Sequence, residues 1–323
     1  MTSAPSLVGS SGDTLREAFG RALAELMQTD ERIVVLDADV AGGTGTHHVR
    51  TRHPQRFYQL GIAEQSMVGV ASGMAATGLI PFATTFAVFA LRAWEVTRLS
   101  VAYANRNVKI AASHPGLDVG PDGASAQCLE DLGAYLALPN FTVVSPADPI
   151  EMELATRAIA EHVGPVYVRT GRSGAPRLFE AGHVFELGRG QVLQEGGDLS
   201  LIACGVQVAR CLEAAALLAR EGIAARVVNM ATLKPLDDEL VVGCARETGA
   251  VLTSEDHNRL TGLGSQVARV LGERAPVPFY AHGVDDAFGE SGEPDELAAR
   301  YGLTAEAICA HARRLLERKR ARD

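Results

Sequence analysis

The sequence predicts an α/β protein built from two doubly wound domains, and three observations predict it. Apolar runs of strand length alternate with amphipathic stretches of helical period along most of the chain. At 323 residues the chain is longer than one compact core usually organises. Between positions 173 and 195 it carries glycines, a proline and mixed polarity without a helical stripe, as an inter-domain connection does. The expected organisation is an N-terminal tail over 1–12, a first domain over 13–172, a linker over 173–195 and a smaller second domain over 196–323.

Within the first domain, an amphipathic helix is expected from Asp13 to Met27, then a buried strand at Ile33–Leu36 and another at Arg56–Leu60. A helix rich in small residues spans Ala63–Thr77, and strand and loop follow from Leu79 to Phe89. A further helix covers about 90–103. The strand Val108–Ala112 runs into a segment from His114 to Ala126 dense in Gly, Pro, Asp and Ser, the composition of a long functional loop. A strand at Phe141–Val144, a helix opened by Asp148-Pro149 and a strand at Pro165–Arg169 complete the domain. The second domain repeats strand–helix pairs starting at Leu199, Ala225 and Ala250, with a last strand at Val277–Ala281. Right-handed crossovers place the loops after Cys204, Met230 and Glu255 on one carboxyl edge, a candidate surface for ligands or partners.

Composition narrows the function. The net charge is −9, with like charges massed only over Arg314–Arg322, which argues against a nucleic-acid partner and suits a solvated helix end. Five cysteines, an odd number without CxxC or metal-ligand spacing, read as small core residues in a reducing compartment. The N-terminus has no charged region followed by an apolar signal core, and apolar stretches break before membrane-spanning length. A cytoplasmic protein with no membrane partner is expected.

The sharpest segment is Gly61-Ile62-Ala63-Glu64-Gln65, where a strand turns into a helix and leaves a carboxyl in the first turn. Taken bare, Glu64 suits the helix dipole and would be an ordinary solvated residue. Phe86 and Phe89 are three apart, which fits core packing as well as a ring pocket. Asp39 follows a strand as turn residues do. Arg169 and Arg172 close a strand at its carboxyl edge, where a guanidinium suits either a phosphate or a surface ion pair. Glu255, His257 and Gly262–Ser265 lack the strand–glycine–acid order of a dinucleotide fingerprint.

Five segments in order carry a resemblance: Leu36-Asp37-Ala38-Asp39, Gly61–Gln65, Asp122-Gly123-Ala124-Ser125, Glu255–Asn258 with Gly262–Ser265, and Phe288-Gly289-Glu290-Ser291-Gly292. Over nearly the whole chain these resemble the transketolase family, as the second subunit of a split enzyme: a pyrimidine-binding domain followed by a C-terminal domain. The resemblance implies thiamine diphosphate and magnesium. It makes Glu64 the carboxyl that hydrogen-bonds the pyrimidine ring nitrogen N1′, so Glu64 should be withdrawn from water, with Phe86, Phe89 and Met67 as apolar surround. Phe86 and Phe89 match ring-packing positions, and Arg92 stands where a third aromatic cofactor contact is expected, its guanidinium either stacking on a ring or reaching across to the partner. Asp39 matches an acid that approaches the cofactor across a subunit interface.

On the substrate side the resemblance assigns His114 and Asp122 to the sugar donor, as a phosphate or hydroxyl contact and a hydroxyl acceptor. Ser125 lies beside Ala126, where the family has histidine, so one polar donor contact is missing and donor preference shifts. Either Arg169 or Arg172 becomes a phosphate ligand. The serine expected near a second phosphate contact is replaced by Gly42-Gly43-Thr44. No Gly-Asp-Gly with a downstream Asn stands in the chain, so a separate N-terminal diphosphate-binding subunit is implied to hold diphosphate and magnesium, flanking a homodimer core in a heterotetramer. The expected reaction is transfer of a two-carbon ketol unit from a ketose phosphate to an aldose. A beta-type subunit of a 2-oxo-acid decarboxylating or carboligating enzyme, and a non-catalytic paralogue, stay open. The C-terminal residues read as interface and packing elements.

Overall fold

The computed structural model describes residues 8–321 apart from 181. Residues 1–7 of the expected tail, and Arg322, therefore lie outside the described residues.

The first domain is a sheet of seven strands: β2 (Ile33–Asp37), β3 (Phe57–Gln59), β4 (Ile80–Phe86), β5 (Lys109–Ser113), β6 (Thr142–Val144), β7 (Val166–Thr170) and β12 (Thr232–Lys234), ordered β12-β6-β7-β5-β4-β2-β3. All neighbours are parallel except β12 with β6. Strands covered by helices on both faces need apolar residues at consecutive positions, and Ile33, Val34, Val35 and Leu36 are buried without alternation. Thr14 caps the helix Leu15–Leu26 by accepting from Glu17 N, and Asp148 caps the helix Pro149–Glu161 by accepting from Glu151 N.

The second domain is a five-stranded sheet of β9 (Gln191–Gln194), β10 (Leu199–Ala203), β11 (Ala225–Asn229), β13 (Val251–Asn258) and β14 (Phe279–Val284), ordered β14-β13-β10-β11-β9, with β9 antiparallel to β11. Helices Gln207–Ala219 and Ala305–Arg320 pack together over one of its faces, and the basic end Arg318–Arg320 closes the latter helix. All five cysteines are buried and free.

Four expectations change. Residues 8–12 are not tail but part of β1 (Val8–Thr14), which pairs with β8 (Gly174–Arg177). The expected linker holds that strand and also β9, a member of the second sheet; Asp148 Oδ2 pins the connection by accepting from Leu178 N and Phe179 N. The expected helix over 90–103 is a succession of short turns ending in a π-helical stretch Thr97–Tyr103, a distinction that apolar spacing does not encode. The carboxyl edge of the second sheet faces the first domain: Gly205 N donates to Ser145 O, Ser145 N to Ala231 O, and β12 joins the first sheet outright. That edge is used within the chain.

Candidate active site

Four parallel strands end at one carboxyl edge of the first sheet, and the loops leaving them carry the chemistry, as doubly wound sheets arrange it. After β2 comes Asp39, after β4 come Phe86 and Phe89, after β5 His114, and after β7 Arg172.

The turn before Glu64 is built by Gln59 and a glycine. Gln59 Oε1 accepts from both Asp39 N at 2.8 Å and Gly61 N at 2.9 Å, while its Nε2 donates to Asp37 Oδ1 at 3.0 Å. Gly61 has φ +72°, a conformation that other residues enter at a cost. Asp37 anchors this corner from inside, accepting from Val40 N and from the hydroxyls of Thr46 and Thr84. Glu64 is then delivered as the first residue of the helix Glu64–Ala76 and is only 3% exposed, beside buried Met67. Its Oε2 is buried with no hydrogen-bond partner among the described residues; Arg92 Nη1 stands 3.7 Å away on a largely exposed side chain. A buried carboxyl oxygen without a partner is costly, so a group left in this state points to a ligand that hydrogen-bonds it, by donating to the oxygen or by accepting the carboxyl's own proton.

Phe86 and Phe89 stack with centroids 5.4 Å apart and planes 12° apart, both half-buried. Phe86 also lies against His114, at 3.6 Å and 17°. Gly43 is obligatory here, because a Cβ would meet the Phe86 ring. The ring wall and the unpartnered Glu64 oxygen fit the aminopyrimidine end of thiamine diphosphate, which presents a flat apolar face and a ring nitrogen. Asp39 is exposed on the rim with φ +66°, tied to the Glu64 turn through Gln59.

The loop residues that the resemblance assigns to the substrate gather around His114. Its Nδ1 is 2.6 Å from Ser113 Oγ, and Nε2 is 3.8 Å from Asp122 Oδ2. Burial, and then the charges of Arg16 and Arg172, push its pKa down to about 3. A neutral imidazole offers one donor and one acceptor nitrogen and carries no positive charge. Arg172 reaches Asp122 at 3.5 Å from a half-buried position. Ser125 is exposed on the same loop, and Ala126 is buried.

Arg169 is a correction. It is one of the two alternatives for a phosphate ligand, but it is buried and turned inward. Its Nε and Nη2 donate to the two carboxyl oxygens of Asp131, and Nη1 donates to Asp256 O at 3.0 Å. Asp131 also accepts from Tyr167 Oη at 2.6 Å. Burial alone would raise the Asp131 carboxyl, but Arg169 beside it holds it below its ordinary value. Of the two arginines, only Arg172 stands beside the substrate-loop residue Asp122.

Sequence reasoning missed Arg16, whose guanidinium sits near His114 and Arg172, donates to Gly43 O at 3.3 Å and has a buried Nε without a hydrogen-bond partner among the described residues. Nothing in its local pattern, at the start of an amphipathic helix, distinguishes it. It also missed that the substrate loop is clamped by the second domain. Asp256 accepts from Leu117 N and Asp118 N, and Gln127 Nε2 donates to Glu290 O. Gly116, at φ +71°, is required because a Cβ would meet the Asp256 carboxyl. Glu255 accepts from Leu263 N and Gly264 N at the start of the helix Leu263–Arg274, which assigns it to packing, and burial raises its pKa to about 7.

The chain matches two family models, the transketolase pyrimidine-binding domain over residues 12–177 and the transketolase C-terminal domain over 188–308. It is 43% identical to a putative transketolase C-terminal section of Methanocaldococcus jannaschii, over 94% of this chain and 95% of that protein. It is 42% identical to the 6-deoxy-6-sulfo-D-fructose transketolase subunit SqwH of Clostridium sp. (strain MSTE9), over 95% and 96%. Human transketolase is 35% identical over 98% of this chain but 51% of its own length. Among solved structures, a split gene transketolase described as an inactive beta4 tetramer superposes with a TM-score of 0.88 at 49% identity, covering 95% of this chain and 99% of that one. The chain belongs to the transketolase family and consists of that family's pyrimidine-binding and C-terminal domains.

Proposed function

We propose that the chain is one subunit of a two-chain, thiamine-diphosphate-dependent transketolase that moves a two-carbon ketol unit from a ketose phosphate to an aldose. The observation that carries this reading is the buried Glu64 Oε2 without a donor among the described residues, in the same site as the Phe86–Phe89 stack. When bound, thiamine diphosphate supplies the carbon nucleophile and, through its aminopyrimidine, the base. Glu64 holds a proton against the pyrimidine N1′, Phe86 and Phe89 exclude water from the ring, and Asp39 approaches from the rim. Neutral His114 and Asp122 orient donor hydroxyls, while Arg172, with Arg16 behind it, meets the phosphate end.

Diphosphate and magnesium are held mainly by the partner. Matches over 95% and 96% of the lengths of a transketolase C-terminal section and a transketolase subunit, against 51% of human transketolase, support this. A second copy of this chain forms the core of the assembly. Its docking face is the helix Glu64–Ala76, where Gly69 and Gly73 leave open space, with the adjoining stretch Thr97–Tyr103. Ile62, Leu99 and Tyr103 are 74%, 52% and 84% exposed there, more apolar surface than an isolated chain usually leaves to water. Docking at Ile62 would close the cleft two residues from Glu64. Among the described residues no helix is long and apolar enough to cross a membrane.

The test is reconstitution with a diphosphate-binding transketolase subunit, scoring cofactor- and magnesium-dependent ketol transfer from a pentulose phosphate against decarboxylation of pyruvate. Transfer that is lost in Glu64→Gln supports the proposal. Turnover that survives this substitution, or that needs no partner chain, refutes it.

A further inference from the structure

We propose that Glu17, His47 and His48 form a site for one divalent transition-metal ion of the zinc class, separate from the cofactor cleft. Glu17 lies in the first turn of the helix Leu15–Leu26, and His47 and His48 begin the helix His47–Arg52. One ligand atom from each lies within 4.8 Å of the other two. His48 Nε2 is 2.8 Å from Glu17 Oε2 and His47 Nε2 is 3.7 Å from it. Two ligands in a tetrahedron around zinc, each about 2.0–2.1 Å from the metal, stand roughly 3.3 Å apart, so the observed separations bracket the required one.

Chemistry and setting agree with the geometry. Two imidazoles and one carboxylate are a donor set that favours zinc, cobalt or nickel over magnesium or calcium. The three groups are half-buried, which leaves a fourth position open to water. The imidazoles stack at 4.1 Å, and His47 Nε2, at 3.7 Å from Glu17 Oε2, lies beyond hydrogen-bond distance of it. The backbone behind them is tightly packed. A Cβ at Gly20 would meet Gly45 O, and a Cβ at Gly45 would meet Arg16 O, so the two ligand-bearing segments touch backbone to backbone. Ligands on segments held this closely lose little freedom when a metal binds. The site would pin the first helix to the Gly45-Thr46 turn, next to the loop whose Gly43 touches Phe86.

The experiment uses the full-length chain without an affinity tag, stripped with chelator and titrated with Zn2+ or Co2+. The expected result is one equivalent bound per chain, the strong visible absorption of four-coordinate Co2+, and a Zn2+-dependent rise in Tm of at least about 3 °C at saturating metal. Affinity should fall at least about tenfold in Glu17→Gln and about a hundredfold in His48→Ala. Glu17→Gln keeps the side-chain volume and so guards against loss through misfolding. A wild-type chain with neither the absorption nor the Tm rise overturns the proposal. So does a folded His47→Ala/His48→Ala chain that still binds one equivalent with unchanged affinity.

Discussion

Glu64 begins a helix with one carboxyl oxygen out of reach of any hydrogen-bond donor among the described residues, whereas Asp131, equally withdrawn from water, accepts from Tyr167 and twice from Arg169. Both are acids in an α/β frame, 3% and 0% exposed. Asp131 belongs to the seam between the domains, where Arg169 also holds Asp256 O and Asp256 in turn grips the backbone of Leu117 and Asp118. The Asp131 carboxyl closes on Arg169 and Tyr167, which is what makes a buried charge tolerable. Glu64 lies at a sheet's carboxyl edge beside an aromatic wall, with only the exposed Arg92 guanidinium at 3.7 Å from its buried oxygen. The contrast supports reading Asp131 as structure and Glu64 as a group that a ligand completes.

Substitutions can break or sharpen this contrast. The largest effect is expected for Glu64→Gln, which should reduce turnover of the reconstituted enzyme by roughly 10²–10⁴ while changing stability by less than about 1 kcal/mol. Steady-state kinetics and denaturant unfolding read the two separately; equal losses in both would place Glu64 with Asp131 as a structural acid. Arg169→Met should do the reverse. By stranding Asp131 it should lower unfolding free energy by about 3–5 kcal/mol, and a stable variant with impaired phosphate binding would restore Arg169 to the substrate site.

Arg172→Ala comes next, raising KM for a phosphorylated donor by about tenfold with kcat nearly unchanged. Its ion pair with Asp122 is partly solvated and should contribute at most about 1 kcal/mol to stability, so a large drop in Tm would contradict the assignment. The smallest effect concerns pH. His114 has a folded pKa of about 3 against an ordinary 6.5, so the unfolded chain takes up its proton first as pH falls. The stability from keeping this imidazole neutral is present above about 6.5 and drains away between 6.5 and 3. His114→Asn tolerates the φ of +60° found at this position and removes the titration, so stability measured from pH 7 to pH 4 should fall less steeply than in the wild type.

Much of the frame was legible before any coordinates. The run Ile33–Leu36, the Asp148-Pro149 helix start and the small-residue helix after Ala63 are local signals whose physics acts within a few residues. The segments β8, β9 and β12 were not legible. Each is short, and each becomes a strand only through pairing with a partner distant in sequence, as Thr232 opposite Val144 shows. The same holds in the site. Glu64 could be singled out by its motif, but Arg16 could not, because it matters only where folding places it near His114 and Arg172.

Sequence by itself determined the α/β alternation, the family motifs and the identities of the groups that can carry charge or stack on a ring. Tertiary structure alone decided which arginine lies beside Asp122 and which is tied to Asp131, that the second domain grips the loop carrying Leu117 and Asp118, and that one Glu64 oxygen has no donor among the described residues. The reason is physical. Side-chain chemistry is intrinsic, but whether a polar atom is satisfied depends on what the fold brings within about 3 Å of it.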